Sequence, residues 1–188
     1  MREPFALGPM PVGRAMVTID ERVVRAPPTD VFTLARNVAH WPAYLAHYRF
    51  VRFREAAPDG GGLVEMSANR PFGPLNWPTW WLSQMSVDHD RPNIRFLHVG
   101  GITTRMDVEW EFHALPSDAT RVRLVHAWDG PRWPLIGSAA ANLVIGPVFI
   151  HGIASRTLEG LARVAEQRAS APLPQVPSGM PPILQESE

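Results

Sequence analysis

The longest regular pattern of apolar positions lies near the C-terminal end of the chain. Over residues 147–168, apolar side chains recur every three or four positions, whereas charged and polar side chains occupy the opposite face. This pattern predicts a helix roughly 33 Å long, whose apolar side requires a large partner surface. The buried stripe is predicted to comprise Ile150, Ile153, Ala154, Thr157, Leu158, Leu161, Val164 and Ala165.

The chain before this helix alternates between apolar and polar residues in several segments, as half-buried strands do. The clearest segment is 103–114, and residues 120–128 alternate in the same way. Arg121 and Arg123 are predicted to lie on the outer face, where they can pair with acidic residues of the neighbouring strand. The residues predicted to point inward from these two strands are Thr104, Met106, Val108, Trp110, Phe112, Val122, Leu124, His126 and Trp128.

Five further strands are predicted, separated by turns rich in glycine, proline, asparagine and aspartate. On the first of them Val17, Ile19 and Val23 share one face and are predicted to point inward, with Glu21 among them. Because an unpaired buried carboxylate is costly, Glu21 is expected to face water in a pocket, unless a bulge turns it outward. The five strands are predicted at residues 16–25, 48–55, 63–72, 75–87 and 94–100.

Two short helices are predicted between the first and second strands. Thr29 or Asp30 can cap a helix over residues 31–41, Pro42 ends it, and residues 43–48 form a second helical turn. The order of one strand, two short helices, six strands and a long helix predicts an α+β fold, with a seven-stranded antiparallel sheet curled around the C-terminal helix. Such a sheet does not close fully on one helix, so a cavity is expected between them.

The composition excludes several classes of function. The 188 residues include 18 basic and 18 acidic side chains and no long basic run, which makes nucleic acid a poor candidate partner. Cysteine is absent, which excludes disulfides, thiol catalysis and thiolate metal sites. The sequence has no histidine and carboxylate spacing typical of a metal site, no phosphate-binding glycine loop and no dinucleotide fingerprint. No metal and no cofactor are therefore predicted.

The chain is predicted to form one domain over residues 14–168, preceded by a flexible arm of residues 1–13 and followed by a proline-rich tail of residues 169–188. The first residues lack the pattern of a secretory signal, and the apolar stretch 135–153 is too often interrupted to span a membrane. A cytoplasmic protein is therefore expected. A cavity mouth that opens toward a membrane or an apolar partner remains an alternative.

Several motifs occur together in an order found in one superfamily. They are the A-P-x-x-x-V-F opening of the first helix, the Trp41-Pro42 pair followed by Tyr48, the tryptophan-bearing fourth strand, and the closing helix with Arg156. Over residues 17–168 the chain resembles the START-like helix-grip superfamily (SRPBCC). Within it the chain is most similar to the polyketide cyclase/dehydrase group, which includes bacterial aromatase/cyclases. The coenzyme Q-binding START proteins share the opening and much of the closing helix.

The resemblance implies a hydrophobic pocket that binds polyketide or lipid-like molecules. In the aromatase/cyclases the residues matching Trp41, Tyr48, Trp81 and Ser83 lie near this pocket. Two positions beyond the residue matching Ser83, these proteins typically have an arginine that is thought to polarise carbonyl groups of the substrate. Met85 stands at that position here. The chain therefore departs from the family at the group on which the aldol and dehydration mechanism depends.

Candidate groups for chemistry also follow from the residues themselves. His126 and His98 are predicted to point inward, where a neutral imidazole can act as a general base or donate a proton to a keto oxygen. Simple packing in the core is the alternative for both. Tyr48 offers a phenol that can orient a ketone. Of the adjacent Trp80 and Trp81, which must point to opposite faces, Trp81 is assigned to the pocket by analogy with the family.

Two hypotheses of function result. In the first, the protein is an enzyme that binds a polyketide or aromatic intermediate and promotes its cyclisation or dehydration, with His126, Tyr48 and His98 as catalytic residues. In the second, it is a non-catalytic carrier or sensor of a lipid, quinone or polyketide. Met85 favours the second hypothesis, and the inward histidines favour the first. The aromatic fourth strand makes the first hypothesis the preferred one.

The expected partner is a hydrophobic small molecule, with an acyl carrier protein or a membrane surface as a further partner. Its contacts are predicted mainly on the inward faces of the central strands. The predicted ligand-binding residues are Trp41, Trp81, Ser83, Met85, Thr104, Met106, Val108, Trp110, Trp128 and Glu21.

Overall fold

The structure is a computed structural model that describes residues 5–72, 75–130 and 151–171. The predicted first residues of the long helix, including Ile150, and most of the proline-rich tail lie outside the described residues. The strands are β1 (Met16–Val24), β2 (Tyr48–Ala56), β3 (Gly62–Phe72), β4 (Leu75–Asp88), β5 (Asn93–Gly101), β6 (Asp107–Leu115) and β7 (Ala119–Trp128). The helices are α1 (Pro28–Arg36), a 3-10 turn (Val38–His40), α2 (Trp41–Tyr44) and α3 (His151–Ala169).

The seven strands form one sheet in the order β1-β7-β6-β5-β4-β3-β2, and every neighbouring pair is antiparallel. The segment that contains α1 and α2 carries the chain from one edge of the sheet to the other. From β2 onward each strand pairs with the next one in the chain. The predicted α+β helix-grip architecture is confirmed, with short helices after the first strand and a long helix near the C-terminal end.

Helix α3 packs mainly against β1 and α1. Arg156, Glu159 and Arg163 are exposed on its opposite side, as the pattern predicts. A Cβ atom on Gly160 would lie 2.3 Å from the Leu45 side chain, so the segment after α2 contacts α3 where the helix has no side chain. The buried residues of α3 are Ala154, Thr157, Leu158, Leu161, Ala162 and Ala165.

The two faces of the central strands differ as the alternation predicts. Arg123 lies on the outer face and contacts Glu111 at 3.0 Å. The adjacent tryptophans of β4 also point to opposite faces, because Trp80 is 43% exposed and Trp81 only 8%. The predicted inward residues of β6 and β7 that the structure buries are Val108, Trp110, Phe112, Val122, Leu124, His126 and Trp128.

The prediction for β1 is wrong, because this strand presents its apolar face to solvent. Val17, Ile19 and Val23 are 55%, 49% and 54% exposed. Glu21 is also outside, where it lies opposite Arg123 in the register and contacts it at 3.4 Å. Directly paired residues of an antiparallel sheet share a face, so the outward Arg123 of β7 places Glu21 and its alternate neighbours outside as well.

The predicted start of β6 is also wrong. Residues 102–105 form a turn, and the strand begins only at Asp107. Thr104 lies within this turn, and its hydroxyl donates a hydrogen bond to the carbonyl oxygen of Gly101. Arg105 has a φ of 71°, a left-handed conformation far from the extended backbone of a regular strand. Thr104 therefore does not continue the inward series of β6.

The described part of the N-terminal arm contacts the outer face of the sheet. Arg95 of β5 donates to the carbonyl oxygen of Gly8 and, at 3.2 Å, to Asp107 of β6. Arg14 donates to the other carboxylate oxygen of Asp107, also at 3.2 Å. These contacts cover an ion pair that would otherwise be exposed. The predicted domain boundaries stay predictions.

Candidate functional site

A cavity of about 80 Å³ lies between α3, the segment around α2 and the inner face of the sheet. This volume has room for several water molecules, so a larger ligand must displace lining side chains. No residue that the structure describes in this lining carries a formal charge at neutral pH. The lining residues are Trp41, Tyr48, Met66, Trp81, Phe96, His98, Thr103, Met106, Val108, Trp110, Leu124, His126, Ile153, Ala154 and Thr157.

The structure brings most of the predicted site residues together around this cavity. Ser83, Met85 and Trp128 are buried on the same side of the sheet but do not line the cavity. Thr104 lies in the turn after β5, and Glu21 lies on the outer face, so their predicted places in the cavity are wrong. The predicted residues that line it are Trp41, Tyr48, Trp81, His98, Met106, Val108, Trp110 and His126.

Aromatic rings in edge and tilted contacts form one wall of the cavity. The ring centroids of Trp41 and Tyr48 are 5.2 Å apart, and those of Tyr48 and Trp81 are 6.2 Å apart. Trp110 lies 5.8 Å from Trp41. The indole N–H of Trp41 donates to the carbonyl oxygen of Leu34 at 3.3 Å, which ties α2 to α1. This wall suits a flat, apolar ligand.

His98 is fixed on the inner face of β5. Its Nδ1 is hydrogen-bonded to the hydroxyl of Thr103 at 2.6 Å, and its ring stacks on Trp81 at a centroid distance of 6.1 Å. Burial, and secondarily the charge of a protonated His126, lower the pKa of His98 to about 3. The imidazole is therefore neutral at pH 7.

His126 of β7 is also neutral, because burial lowers its pKa to about 3. Its Nδ1 is buried and has no hydrogen-bond partner among the residues described. The same holds for the hydroxyl oxygens of Thr18, opposite His126 on β1, and of Ser83, opposite His98 on β4. Each such buried group costs roughly 1–3 kcal/mol. His126 faces the cavity, so a ligand or a water molecule there can satisfy its Nδ1.

Tyr48 places a protonated phenol at the cavity. Burial raises its pKa, so the hydroxyl keeps its proton at neutral pH. Its hydroxyl oxygen lies 3.5 Å from the Thr157 hydroxyl of α3. Thr157 gives its own hydrogen to the carbonyl oxygen of Ile153 at 2.8 Å, a shorter and better bond. At 3.5 Å the contact between Tyr48 and Thr157 is at the limit of a hydrogen bond, so the Tyr48 hydrogen remains available to a ligand.

Met85 does not line the cavity. Its side chain is fully buried, and its backbone pairs with Gly62 on one side and Phe96 on the other. A thioether offers only a weak hydrogen-bond acceptor and no charge. The donors and acceptors in the described lining are therefore all neutral.

Sequence reasoning missed two polar residues of the site. Thr157 was assigned only to the buried stripe of the helix, although a hydroxyl within an apolar stripe is itself a signal of a polar contact. Thr103 was missed because β6 was predicted to begin too early. The remaining unpredicted lining residues are apolar: Met66, Phe96, Leu124, Ile153 and Ala154.

The fold is that of START-like helix-grip proteins. The Zhui aromatase/cyclase from Streptomyces sp. R1128 superposes with a TM-score of 0.72 at 16% identity, over 83% of this chain and 96% of that one. A protein from Thermus thermophilus superposes with a TM-score of 0.68 at 22% identity, over 83% and 100%. A START superfamily protein from Mycobacterium smegmatis superposes with a TM-score of 0.57 at 14% identity, over 81% of this chain and 96% of that one. At these identities the likeness concerns the fold alone.

The family is shown by the sequence itself. Residues 24–146, more than half of the chain, match the model of the family described as polyketide cyclase / dehydrase and lipid transport. The chain belongs to this family, which confirms the resemblance. No curated protein sequence matches the chain significantly. No helix within the described ranges is long and apolar enough to cross a membrane.

Proposed function

We propose that the protein binds a neutral polyketide or aromatic intermediate in the cavity and promotes its cyclisation or dehydration. One observation carries the proposal: two neutral imidazoles and a protonated phenol face an aromatic cavity whose described lining has no charge. Apolar walls favour the carbon skeleton of such a ligand, and uncharged donors suit its keto oxygens.

In the proposed mechanism, enclosure folds the chain so that the reacting carbons lie close together. The Tyr48 hydroxyl donates a hydrogen bond to a keto oxygen and stabilises the negative charge that develops on it. His126 accepts the proton of the neighbouring methylene at its unpartnered Nδ1. The carbanion attacks the keto carbon, and the keto oxygen takes a proton and becomes a hydroxyl. For the dehydration, His126 takes the second proton of the same carbon. Because the low pKa of His126 makes its imidazolium a strong acid, it gives this proton to the hydroxyl, which leaves as water. His98, held by Thr103, donates a second hydrogen bond to the ligand.

A ligand of this class is larger than the cavity, so the proposal requires the lining to move apart on binding. Trp41, Trp81 and Trp110 surround the cavity and would report this movement. Their fluorescence is expected to change when the ligand binds.

The second candidate is a carrier of a lipid, quinone or polyketide without chemistry. The observation that favours it is Met85, which stands where related cyclases have an arginine and is buried away from the cavity. A ketone bound in the described lining would meet no cation to polarise it. The delivery of the ligand by an acyl carrier protein or from a membrane surface stays a prediction.

The test compares product distributions from a reactive poly-β-keto thioester incubated with the protein and its variants. Loss of His126 in His126→Ala is expected to slow formation of the cyclised product by about 10²–10⁴. Tyr48→Phe and His98→Ala are expected to have smaller effects of the same sign. Tyr44→Phe, the other tyrosine, and His113→Ala, on the outer face, are the matched controls.

Native mass spectrometry of the same samples separates the two candidates. If ligand binds but none of the three cavity variants changes the products, the protein is a carrier and the proposed catalysis is rejected.

A further inference from the structure

A second hollow lies on the outside of the molecule, beside the cavity. This surface groove runs between the segment after α2 and the exposed side of α3. His47, the residue before β2, lines the groove and is half-buried there. Its neighbour Tyr48 lines the cavity on the inside. The two consecutive residues thus face different hollows.

One hydroxyl connects the two residues through α3. The Thr157 oxygen lies 3.1 Å from Nε2 of His47 and 3.5 Å from the hydroxyl oxygen of Tyr48. Thr157 itself lines the cavity, and its neighbours on the buried stripe of α3 are apolar. Because Thr157 gives its only hydrogen to the carbonyl oxygen of Ile153, it must accept from His47, which assigns the ring hydrogen to Nε2.

We propose that Tyr48, Thr157 and His47 form a proton relay between the surface groove and the cavity. The use of this relay in a reaction rests on the proposed function, whereas its existence does not. The relay identifies His47 and Thr157 as positioning residues that act through Tyr48.

The relay moves one proton inward without the entry of water. When Tyr48 gives its proton to a ligand oxygen, the Thr157 hydroxyl turns away from Ile153 and gives its hydrogen to the phenolate oxygen. Thr157 then takes the Nε2 hydrogen of His47, and His47 takes a proton from solvent at Nδ1. The net change of this step is the transfer of one proton from solvent to the ligand oxygen, with His47 left in its other neutral tautomer. The reaction as a whole gains no proton, because His126 releases to solvent the first proton that it takes from the methylene.

The surroundings of His47 keep it neutral between transfers. Burial, and secondarily the charge of Arg156, lower its pKa to about 4, so it passes protons at pH 7 without accumulating charge. Its ring lies 4.8 Å from that of Tyr48, which limits its freedom to turn away. The charged residues that line the groove around it are Arg22, Arg156, Glu159, Arg163 and Glu166.

The direct test measures how fast the Tyr48 hydroxyl exchanges its hydrogen for deuterium, by carbon-13 NMR of tyrosine-labelled protein. The chain has two tyrosines, so Tyr44→Phe assigns the signals. Thr157→Val, which keeps the volume of the side chain, and His47→Ala are each expected to slow the exchange roughly tenfold. This factor corresponds to the free energy of one hydrogen bond of the relay. Thr157→Ser is expected to restore it, and His113→Ala to leave it unchanged.

Exchange at the original rate in both Thr157→Val and His47→Ala would overturn the relay. His47→Ala, a change at a half-buried position, carries the test if Thr157→Val does not fold. With the poly-β-keto thioester as substrate, both variants are expected to lower kcat at unchanged KM, again with rescue by Thr157→Ser. If both variants exchange slowly but neither they nor the original protein convert the substrate, the proposed function is rejected and the relay is retained.

Discussion

The two faces of the sheet follow opposite rules for charge. The outer face carries ion pairs, such as Arg123 with Glu111 and Arg95 with Asp107. Around the cavity the inner face carries aromatic and aliphatic side chains and polar groups that burial holds neutral, of which His98 is an example. The same strands build both faces, because successive side chains point to opposite sides.

The difference shows which face can hold a ligand. The charged groups of the outer face pair with one another, as Arg95 and Arg14 do with Asp107, or lie in solvent. On the inner face several buried polar atoms have no hydrogen-bond partner within the described ranges, among them Nδ1 of His126. The cavity is therefore suited to a neutral molecule that brings both apolar surface and hydrogen-bonding oxygens.

The largest expected effect comes from a charge on the wrong face. Val108→Asp places a carboxylate among buried apolar residues and is expected to lower the free energy of unfolding by at least about 3 kcal/mol. Val17→Asp, on the exposed face of β1, is expected to change it by no more than about 0.5 kcal/mol. Urea unfolding measures both. Equal losses in the two variants would contradict the assignment of the faces.

The adjacent tryptophans of β4 sharpen the comparison at one place in the chain. Trp81→Ala removes a ring packed against Tyr48 and His98 and is expected to cost about 3 kcal/mol of stability. Trp80→Ala removes a half-exposed ring hydrogen-bonded to Glu65 and is expected to cost less than about 1.5 kcal/mol. A larger loss of stability in Trp80→Ala than in Trp81→Ala, measured by urea unfolding, would show that Trp80 and not Trp81 points inward.

The buried ion pair tests the outer face. Asp107→Asn removes the charge that Arg95 and Arg14 share and is expected to lower the free energy of unfolding by about 2 kcal/mol, because Arg95 stays buried. Glu21→Gln removes an exposed partner of Arg123 and is expected to cost at most about 1 kcal/mol. Chemical unfolding at low and high salt compares them, and only the Glu21 contribution should weaken strongly with salt.

A further comparison concerns pH. In the unfolded chain His98 and His126 bind protons below their ordinary pKa of about 6.5, whereas the folded protein binds them only near pH 3. Their contribution to stability is thus fully present above pH 6.5 and is lost as the pH falls from there towards about 3. His98→Gln is expected to flatten this dependence between pH 7 and pH 4, and His113→Gln to leave it unchanged. An unaltered slope in His98→Gln would mean that His98 is not buried in the neutral form.

Much of the fold follows from local patterns. The stripe of α3 and the alternation of β6 and β7 are long enough that each predicts one buried face. His98 and His126 were predicted to point inward from the alternation of their strands, and Tyr48 was assigned to the pocket from the family motif. All three line the cavity. The candidate site was therefore predictable where a residue lies in the middle of a long regular element.

The failures lie at an edge and at a turn. On β1 the apolar series Val17, Ile19 and Val23 indicated a buried face, but the register with β7 places these side chains on the outer face of the sheet. At the start of β6 the alternation continued through a turn, which misplaced Thr104 and hid Thr103. Short-range pattern cannot resolve either case, because register and chain reversal depend on partners far away in the sequence.

The sequence by itself determined the order of the elements, their α+β class and the apolar character of the interior, since these follow from periodicity and composition. Only the tertiary structure decided which face of β1 is buried, which polar atoms lack partners, and that Thr157 connects Tyr48 with His47. These features are contacts between residues distant in the chain, and such contacts exist only after the sheet and α3 have come together.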